Sequence, residues 1–453
     1  MRVPANGAPA TRGDNVTAVP SEEEVHDVLG IGFGPSNLAL AIALEEHNRT
    51  APAADRLSGV FFERKPAFGW HRGMLIEGTT MQVSFLKDLV TMRNPASDFS
   101  FLSYLHAKQR LVDFINHKTM FPTRVEYHDY LEWAAARVAD QVRYDAEVVE
   151  LHRAGEHFEA VVRRGGQLEV HRARNVVLAV GLEASVPAGA ELGDRVWHNL
   201  DLLHRVDELT EAPRRCVVVG AGQSAAEVTE YLHRTFPAAE VCAVFSRYGY
   251  SPADDSPFAN RIFDPQAVDD FHTASPEVRD QLLDYHRNTN YSVVDLDLIE
   301  ELYARAYQEK VRGEQRLRIL NASRVRDVAT RDGGVSVTVE HLPSGERAEL
   351  AADLLVYATG CRPRDPLPLL GEAAQDCERD ERGRLQVERD YRLRTSADLP
   401  GAIYLQGGTE HTHGLTSSLL SNGAVRAGEI RDSILTRRSR TAAAEPDRAV
   451  SYA

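Results

Sequence analysis

The chain has 453 residues, 43% of them hydrophobic and 26% charged, and a net charge of −15. That length allows roughly two or three domains of ~150 residues, and the acidic balance argues against nucleic acid as the main partner, since phosphate binding needs a basic surface. No stretch approaches the ~20 apolar residues needed to span a bilayer, and the four cysteines (Cys216, Cys242, Cys361, Cys377) contain no C-x-x-C, which excludes a dithiol redox centre and argues against a disulfide framework.

Residues 1–24 are polar and lack the apolar core of a secretory signal. They read as a disordered lead-in to a cytoplasmic protein that neither enters nor binds a membrane. Residues 27–44, DVLGIGFGPSNLALAIAL, then join an apolar strand to a helix through Gly30, Gly32 and Gly34. This is how a dinucleotide-binding βαβ unit begins. Pro35 stands where the third glycine of G-x-G-x-x-G is expected, and proline is tolerated in a first helical turn, where its missing N–H would be unpaired anyway. The next strand, GVFFERK (59–65), ends in Glu63, and a carboxylate there suits the free ribose diol of FAD or NAD.

A second glycine turn follows at residues 216–227, CVVVGAGQSAAE. Gly220 permits the turn, Gly222 admits a pyrophosphate to the backbone, and Ala225 is small enough for the helix to pack on the sheet. The strand after it, EVCAVFSRYGY (240–250), ends in Ser246 and Arg247 with no acid. A hydroxyl and a guanidinium suit the 2′-phosphate of NADP; the alternative for Arg247 is a solvated surface arginine. Two such motifs, each after a β-like strand, are far more specific than one. RNVVLAVGLEASVP (174–187) and DLLVYATGCRPRDP (353–366) have the form of paired strands that carry a chain between two dinucleotide domains.

The fold class expected is therefore α/β: two Rossmann-like dinucleotide-binding domains, for FAD and NADPH, with a small, mostly helical substrate-binding part. The boundaries read as FAD-binding over 25–186, NADPH-binding over 187–360 with a helical insertion at about 250–315, FAD-binding again over 361–435, and a disordered tail over 436–453.

Several separated segments carry a resemblance: GIGFGPSNLAL (30–40), FGWHRGM (68–74), MQVSFLKDLVTMRNP (81–95), FPTRVEYHDYLEW (121–133), GAGQSAAE (220–227), DDSPFANRIFDP (254–265), HRNTNYSVVD (286–295) and GGTEHTHGLTSSLLS (407–421). In this order they resemble the microbial N-hydroxylating flavoprotein monooxygenases, specifically the L-ornithine N5-monooxygenases of hydroxamate siderophore biosynthesis. The resemblance implies that NADPH reduces FAD, that O2 forms a C4a-hydroperoxide on the reduced flavin, and that the side-chain amine of L-ornithine takes its distal oxygen. The same chemistry on L-lysine or a diamine such as putrescine is the nearest rival. No side-chain nucleophile or acid–base pair is expected, because the flavin carries the chemistry and the protein supplies position and shielding. A homo-oligomer, dimer or tetramer, is compatible with the resemblance.

Two demands remain. The substrate must be anchored, and its amine must be neutral to attack. Lys87 lies in an apolar run where a cation needs a partner, and the resemblance makes it the anchor of the substrate carboxylate. A snorkelling lysine or a salt bridge to Asp88 is the alternative. Asn260 and Asn290 would read as turn or cap residues by themselves; by resemblance they bind the amino-acid end and the amine, with Asn290 also at the nicotinamide ribose. A neutral amide near the amine, and no carboxylate there, would favour the uncharged form. The resemblance further implies FAD contacts at Trp70, His71, Gln82, Val148, Leu415, Thr416 and Ser417, a substrate contact at Ser418, and NADPH contacts at Gln223 and Ser224. In the family an acid often stands at the position of Ser417. His411 and His413 in EHTHG lack a matching cluster, and no metal is expected. A flavin disulfide reductase would need the missing C-x-x-C, and a non-catalytic NADP-binding protein would not need Lys87, Asn260 and Asn290.

Overall fold

The computed structural model describes residues 19–331, 333–396, 399 and 401–444. Strand β1 (Val19–Ile31) runs into helix α1 (Pro35–Thr50) and β2 (Gly59–Phe62). Helices α2 (Phe101–Ala107), α3 (Leu111–His117) and α4 (Arg124–Ala136) follow. Then come β3 (Val142–Arg143), β4 (Ala146–Ala154), β5 (His157–Arg164), β6 (Gln167–Leu178), β7 (Leu182–Ala184) and β8 (Val196–His198). The middle of the chain holds α5 (Leu202–Asp207), β9 (Arg215–Val219), α6 (Gln223–Thr235), β10 (Glu240–Val244), α7 (Pro265–Thr273), α8 (Pro276–Tyr285) and α9 (Leu296–Arg312). The rest is β11 (Leu317–Leu320), β12 (Ser323–Arg331), β13 (Gly334–His341), β14 (Arg347–Ala352), β15 (Leu354–Tyr357), β16 (Cys361–Pro363), β17 (Ala402–Leu405), α10 (Glu410–His413) and α11 (Gly423–Ala444).

Strands β12, β13 and β14 form a separate antiparallel sheet, and two of the other sheets are Rossmann-like. The first has the order β3-β2-β1-β6-β5-β4. Strand β6 changes partner along its length: its first half pairs antiparallel with β5, and Asn175–Leu178 pairs parallel with β17. This lets a segment more than 200 residues downstream complete the sheet. Helix α1 is buried from Asn37 to Leu44 and packs against α11, which accounts for its nearly unbroken apolar sequence. The second sheet, β11-β10-β9-β15-β8, is parallel throughout, and α6 packs on it. Its strands are short, apolar and buried, as parallel sheets covered on both faces require. The β7–β16 pair, Leu182–Ala184 against Cys361–Pro363, is antiparallel and joins the two halves where the chain crosses between them.

Order extends further at both ends than the sequence reading had it. Strand β1 starts at Val19, inside the segment whose composition predicts disorder, with Val19 opposite Glu169 and Pro20 opposite Val170, and a bulge before Val25. The long β6 offers an edge there, and the run VPSEEEV has no alternation that would announce a strand. Helix α11 continues to Ala444, nine residues past the expected end at 435. Its RRSRTAAA segment is rich in the helix formers Arg and Ala, and Arg438 donates to the carbonyls of Arg56 at 2.7 Å and Ala54 at 3.0 Å. Residues 445–453 lie outside the described residues. Among the described residues, no helix is long and apolar enough to cross a membrane.

Candidate active site

A cleft of about 3100 Å³ runs between the two glycine turns. At the first turn, Gly30 lies in β1 opposite Phe61. Gly32 has φ +84°, and a Cβ there would lie 2.4 Å from the Ala179 carbonyl oxygen, so only glycine serves. Gly34 differs: a Cβ there would meet nothing within 4 Å. It opens on the cleft and precedes α1, whose first turn is capped by no side chain and begins with Pro35. Open space beside an uncapped helix N-terminus fits a pyrophosphate. Glu63, one residue past β2, accepts from the Phe33 N–H at 2.8 Å and the Lys65 N–H at 3.0 Å. Those bonds fix the carboxylate on the cleft wall, where its remaining lone pairs suit a ribose diol.

At the second turn, Gly220 has φ +146° and is pressed on the Ala358 carbonyl, and Ala225 is fully buried where α6 meets the sheet. Gly222 faces the backbone of Ser292, with 3.3 Å from its virtual Cβ to the Ser292 Cα. Ser246 and Arg247 are exposed beyond the end of β10, outside the cleft lining, and Arg247 donates to the Ser292 carbonyl at 2.8 Å. Ser224 lines the cleft. Gln223 does too, but its amide is largely engaged by the protein. Its oxygen accepts from the Asp295 N–H at 2.8 Å, and its nitrogen donates to Glu227 at 2.9 Å and Asp295 at 3.2 Å.

Lys87, Asn260 and Asn290 all reach the same cleft, from segments up to about 200 residues apart. Asp88 does not neutralise Lys87. It is 2% exposed, and its carboxylate accepts from the N–H groups of Val90, Thr91 and Phe101 and the Thr91 hydroxyl, all at 2.6–2.9 Å. Among the described residues Lys87 has no carboxylate partner within salt-bridge distance. Asn260 donates to the Asp255 carbonyl at 2.6 Å, which leaves its amide oxygen for the cleft. Asp254, Asp255 and Asp295 also line the cleft, so this wall is not free of carboxylates.

Trp70, His71, Gln82 and Val148 line the same cleft. His71 adopts a left-handed conformation at φ 46°. Burial, with Arg124 and Lys65 adding to it, pushes its pKa down to about 4, so the ring is neutral near pH 7. Leu415, Thr416 and Ser417 are buried, and Ser417 lines the cleft with a hydroxyl that has no partner. The side chain of Ser418 lies outside the described residues. His411 donates to the Leu385 carbonyl at 2.7 Å, and His413 donates to the Arg389 carbonyl at 3.3 Å and stacks on Tyr391 at 4.2 Å.

The sequence reading gave no role to Arg124, Glu227 or Asp295. Arg124, at the start of α4, makes a two-pronged pair with Glu227 of α6 at 2.8 and 2.7 Å. Glu227 also takes Gln223, which meets Asp295 at the start of α9, and Asp295 accepts from Gln82 at 3.1 Å. Burial holds the carboxyls of Glu227 and Asp295 above their ordinary range. One polar network thus joins both glycine turns' domains and the helical insertion.

The model of the L-lysine 6-monooxygenase/L-ornithine 5-monooxygenase family matches residues 24–363. An L-ornithine N(5)-monooxygenase of Burkholderia cepacia is 42% identical over 439 residues, covering 94% of this chain and 98% of that protein. The ornithine N-hydroxylase of Kutzneria sp. 744, solved with reduced FAD, NADP+ and L-ornithine, superposes with a TM-score of 0.88 at 48% identity, covering 92% of this chain and all of that one. An L-lysine 6-monooxygenase of Pseudomonas syringae gives 0.79 at 32% identity, over 90% of this chain and 99% of that one. With the family model matching most of the chain and relatives this similar over their full length, this chain belongs to the L-lysine 6-monooxygenase/L-ornithine 5-monooxygenase family.

Proposed function

We propose that the protein is an FAD-dependent monooxygenase that uses NADPH and O2 to hydroxylate the side-chain amine of L-ornithine, giving N5-hydroxy-L-ornithine for a hydroxamate siderophore or a related product. The observation that carries an amino-acid substrate is Lys87, a cleft-lining ammonium beside an aspartate whose carboxylate is already fully bonded, and the likeness to ornithine hydroxylases supports ornithine over lysine. A substrate α-carboxylate supplies the missing charge. A diamine has no such group, so Lys87 favours an amino acid.

When bound, FAD accepts hydride from NADPH and activates O2 for transfer of one oxygen atom to an amine. The residues of this chain bind and orient. Gly34 and the first turn of α1 hold the FAD pyrophosphate, and Glu63 holds its ribose. Trp70, Gln82, Val148 and Ser417 wall the flavin, and His71 stays neutral beside it. Gly222 and Ser224 receive NADPH, with Ser246 and Arg247 at its 2′-phosphate. Lys87 fixes the carboxylate end of ornithine, and Asn260 and Asn290 hold the rest through uncharged amides. Removal of the amine from water favours the form with a free lone pair, against the cleft-lining carboxylates of Asp254, Asp255 and Asp295, which favour the ammonium. The segment from β1 to residue 186 and that from residue 361 to the end of α11 make up the FAD-binding part, and 187–360 the NADPH-binding part.

The test is hydroxylamine formation with NADPH, added FAD and air, run on L-ornithine, L-lysine and putrescine with H2O2 recorded alongside. Hydroxylated ornithine with little peroxide is expected. Peroxide with all three amines and no hydroxylamine overturns the substrate assignment and leaves the cofactors.

A further inference from the structure

Arg426 lies in the first turn of α11 and is 3% exposed, yet it lines the cleft. Its Nη1 donates to the Ser417 carbonyl at 2.6 Å, its Nε to the Gln406 Oε1 at 3.3 Å, and its Nη2 to the Ser36 Oγ at 3.2 Å. All three acceptors are neutral. Gln406 passes the contact on, donating to the Asn37 Oδ1 at 2.9 Å and the Ser36 carbonyl at 3.2 Å, and Asn37 donates to the Gly32 carbonyl at 2.7 Å. The carboxylate one turn along α11, Glu429, is taken by Arg389 in two bonds of 3.1 and 2.9 Å.

A guanidinium keeps its charge and has five N–H donors. Burying it on neutral acceptors costs stability unless an anion compensates. The two carboxylates nearest to it are engaged by other groups, Glu429 by Arg389 and Asp88 by the N–H groups of Val90, Thr91 and Phe101, and neither makes a salt bridge to Arg426. Gly34, Pro35 and Ser36 line the cleft together with Arg426, and a Cβ at Gly34 would meet nothing within 4 Å. The Ser417 hydroxyl, 1% exposed and without a partner, lines the same cleft.

We propose that Arg426 is the counter-charge of the FAD pyrophosphate, a buried cation whose partner anion is the cofactor itself. The inference rests on the FAD reading of the first glycine turn. It goes further in making the cofactor part of the folded protein's charge balance. Arg426 is then a net cost in the flavin-free chain and a net gain in the flavin-bound one, which no purely structural arginine can be.

The test uses the full-length chain with Arg426→Met and Arg426→Lys. FAD affinity is read by titration, thermal unfolding is read without and with FAD, and the midpoint potential of the bound flavin is measured. Arg426→Met should weaken FAD by about tenfold to a hundredfold, the range of a lost charge-assisted hydrogen bond. Its unfolding temperature without FAD should equal or exceed the parent's, and the midpoint potential should not move. Arg426→Lys, which keeps the charge, should bind FAD within a few-fold of the parent. A loss of flavin-free stability in a folded Arg426→Met makes the residue structural and overturns the proposal; where the methionine variant does not fold, the decision passes to a second variant. Arg426→Gln, which keeps hydrogen bonding without charge, then provides an independent reading: unchanged FAD affinity overturns the counter-charge role, and an affinity loss that Arg426→Lys does not share upholds it. A shifted potential at unchanged affinity would place the charge at the flavin ring instead. Failure of the parent itself to bind FAD would refute the cofactor reading, a different result from all of these.

Discussion

Lys87 and Asp88 are neighbours in sequence and opposite in fate. Asp88 turns inward and spends its charge on backbone N–H groups, while Lys87 faces the cleft. The sequence could not choose between a salt bridge and a ligand for Lys87, because the choice depends on what Asp88 does with the Phe101 N–H, 13 residues away. Lys87→Ala should lower kcat/KM for ornithine by about tenfold to a hundredfold, the size of a lost charge-assisted contact. NADPH-driven flavin reduction, followed by stopped-flow absorbance, should be nearly unchanged; an equal loss in both would make Lys87 structural. Arg247 poses a similar choice. Its bond to the Ser292 carbonyl holds it at the end of β10 but does not use all of its donors. Arg247→Ala should raise KM for NADPH by about tenfold and leave KM for NADH nearly unchanged; equal effects on the two would remove it from the 2′-phosphate.

At the level of elements, the two strand–turn–helix units were legible because glycine is demanded by geometry there. Gly32 and Gly34 show how different those demands are. Gly32→Ala puts a methyl on the Ala179 carbonyl at positive φ, so it should destabilise the fold by about 1–3 kcal/mol in urea unfolding. Gly34→Ala has φ −88° and open space, so the chain should fold normally. Its methyl would then stand where the pyrophosphate approaches, and FAD affinity should fall with no change in flavin-free stability. If Gly34→Ala binds FAD as the parent does, the cradle lies elsewhere. The ends of the elements were harder to read. The start of β1 at Val19 and the end of α11 at Ala444 depend on partners, β6 and the Ala54–Arg56 turn, that lie far along the chain.

The whole molecule is tied together by pairings between residues of different motifs. Arg124 and Glu227 are 103 positions apart, and Gln82 and Asp295 are 213 apart, so no local pattern marks them. Glu227 is 3% exposed, and its pair with Arg124 links α4 of the first domain to α6 of the second. Removing one partner of a buried pair strands the other, at about 3–5 kcal/mol. Arg124→Met should therefore lose that much stability, and adding Glu227→Leu should restore most of it. The pH dependence distinguishes this from loss of packing. Burial already raises the Glu227 carboxyl, with the charge of Arg124 opposing that rise. Without Arg124 the folded-state pKa climbs further above the unfolded one. A group raised in this way contributes stability that is complete below its unfolded pKa and lost as pH rises through its folded pKa. The deficit of Arg124→Met should thus be smaller near pH ~5 than near pH ~8, measured by urea unfolding against the parent at each pH. A deficit that does not change with pH would mean that Arg124 contributes packing alone, and that the two nucleotide domains are not held together by this charge.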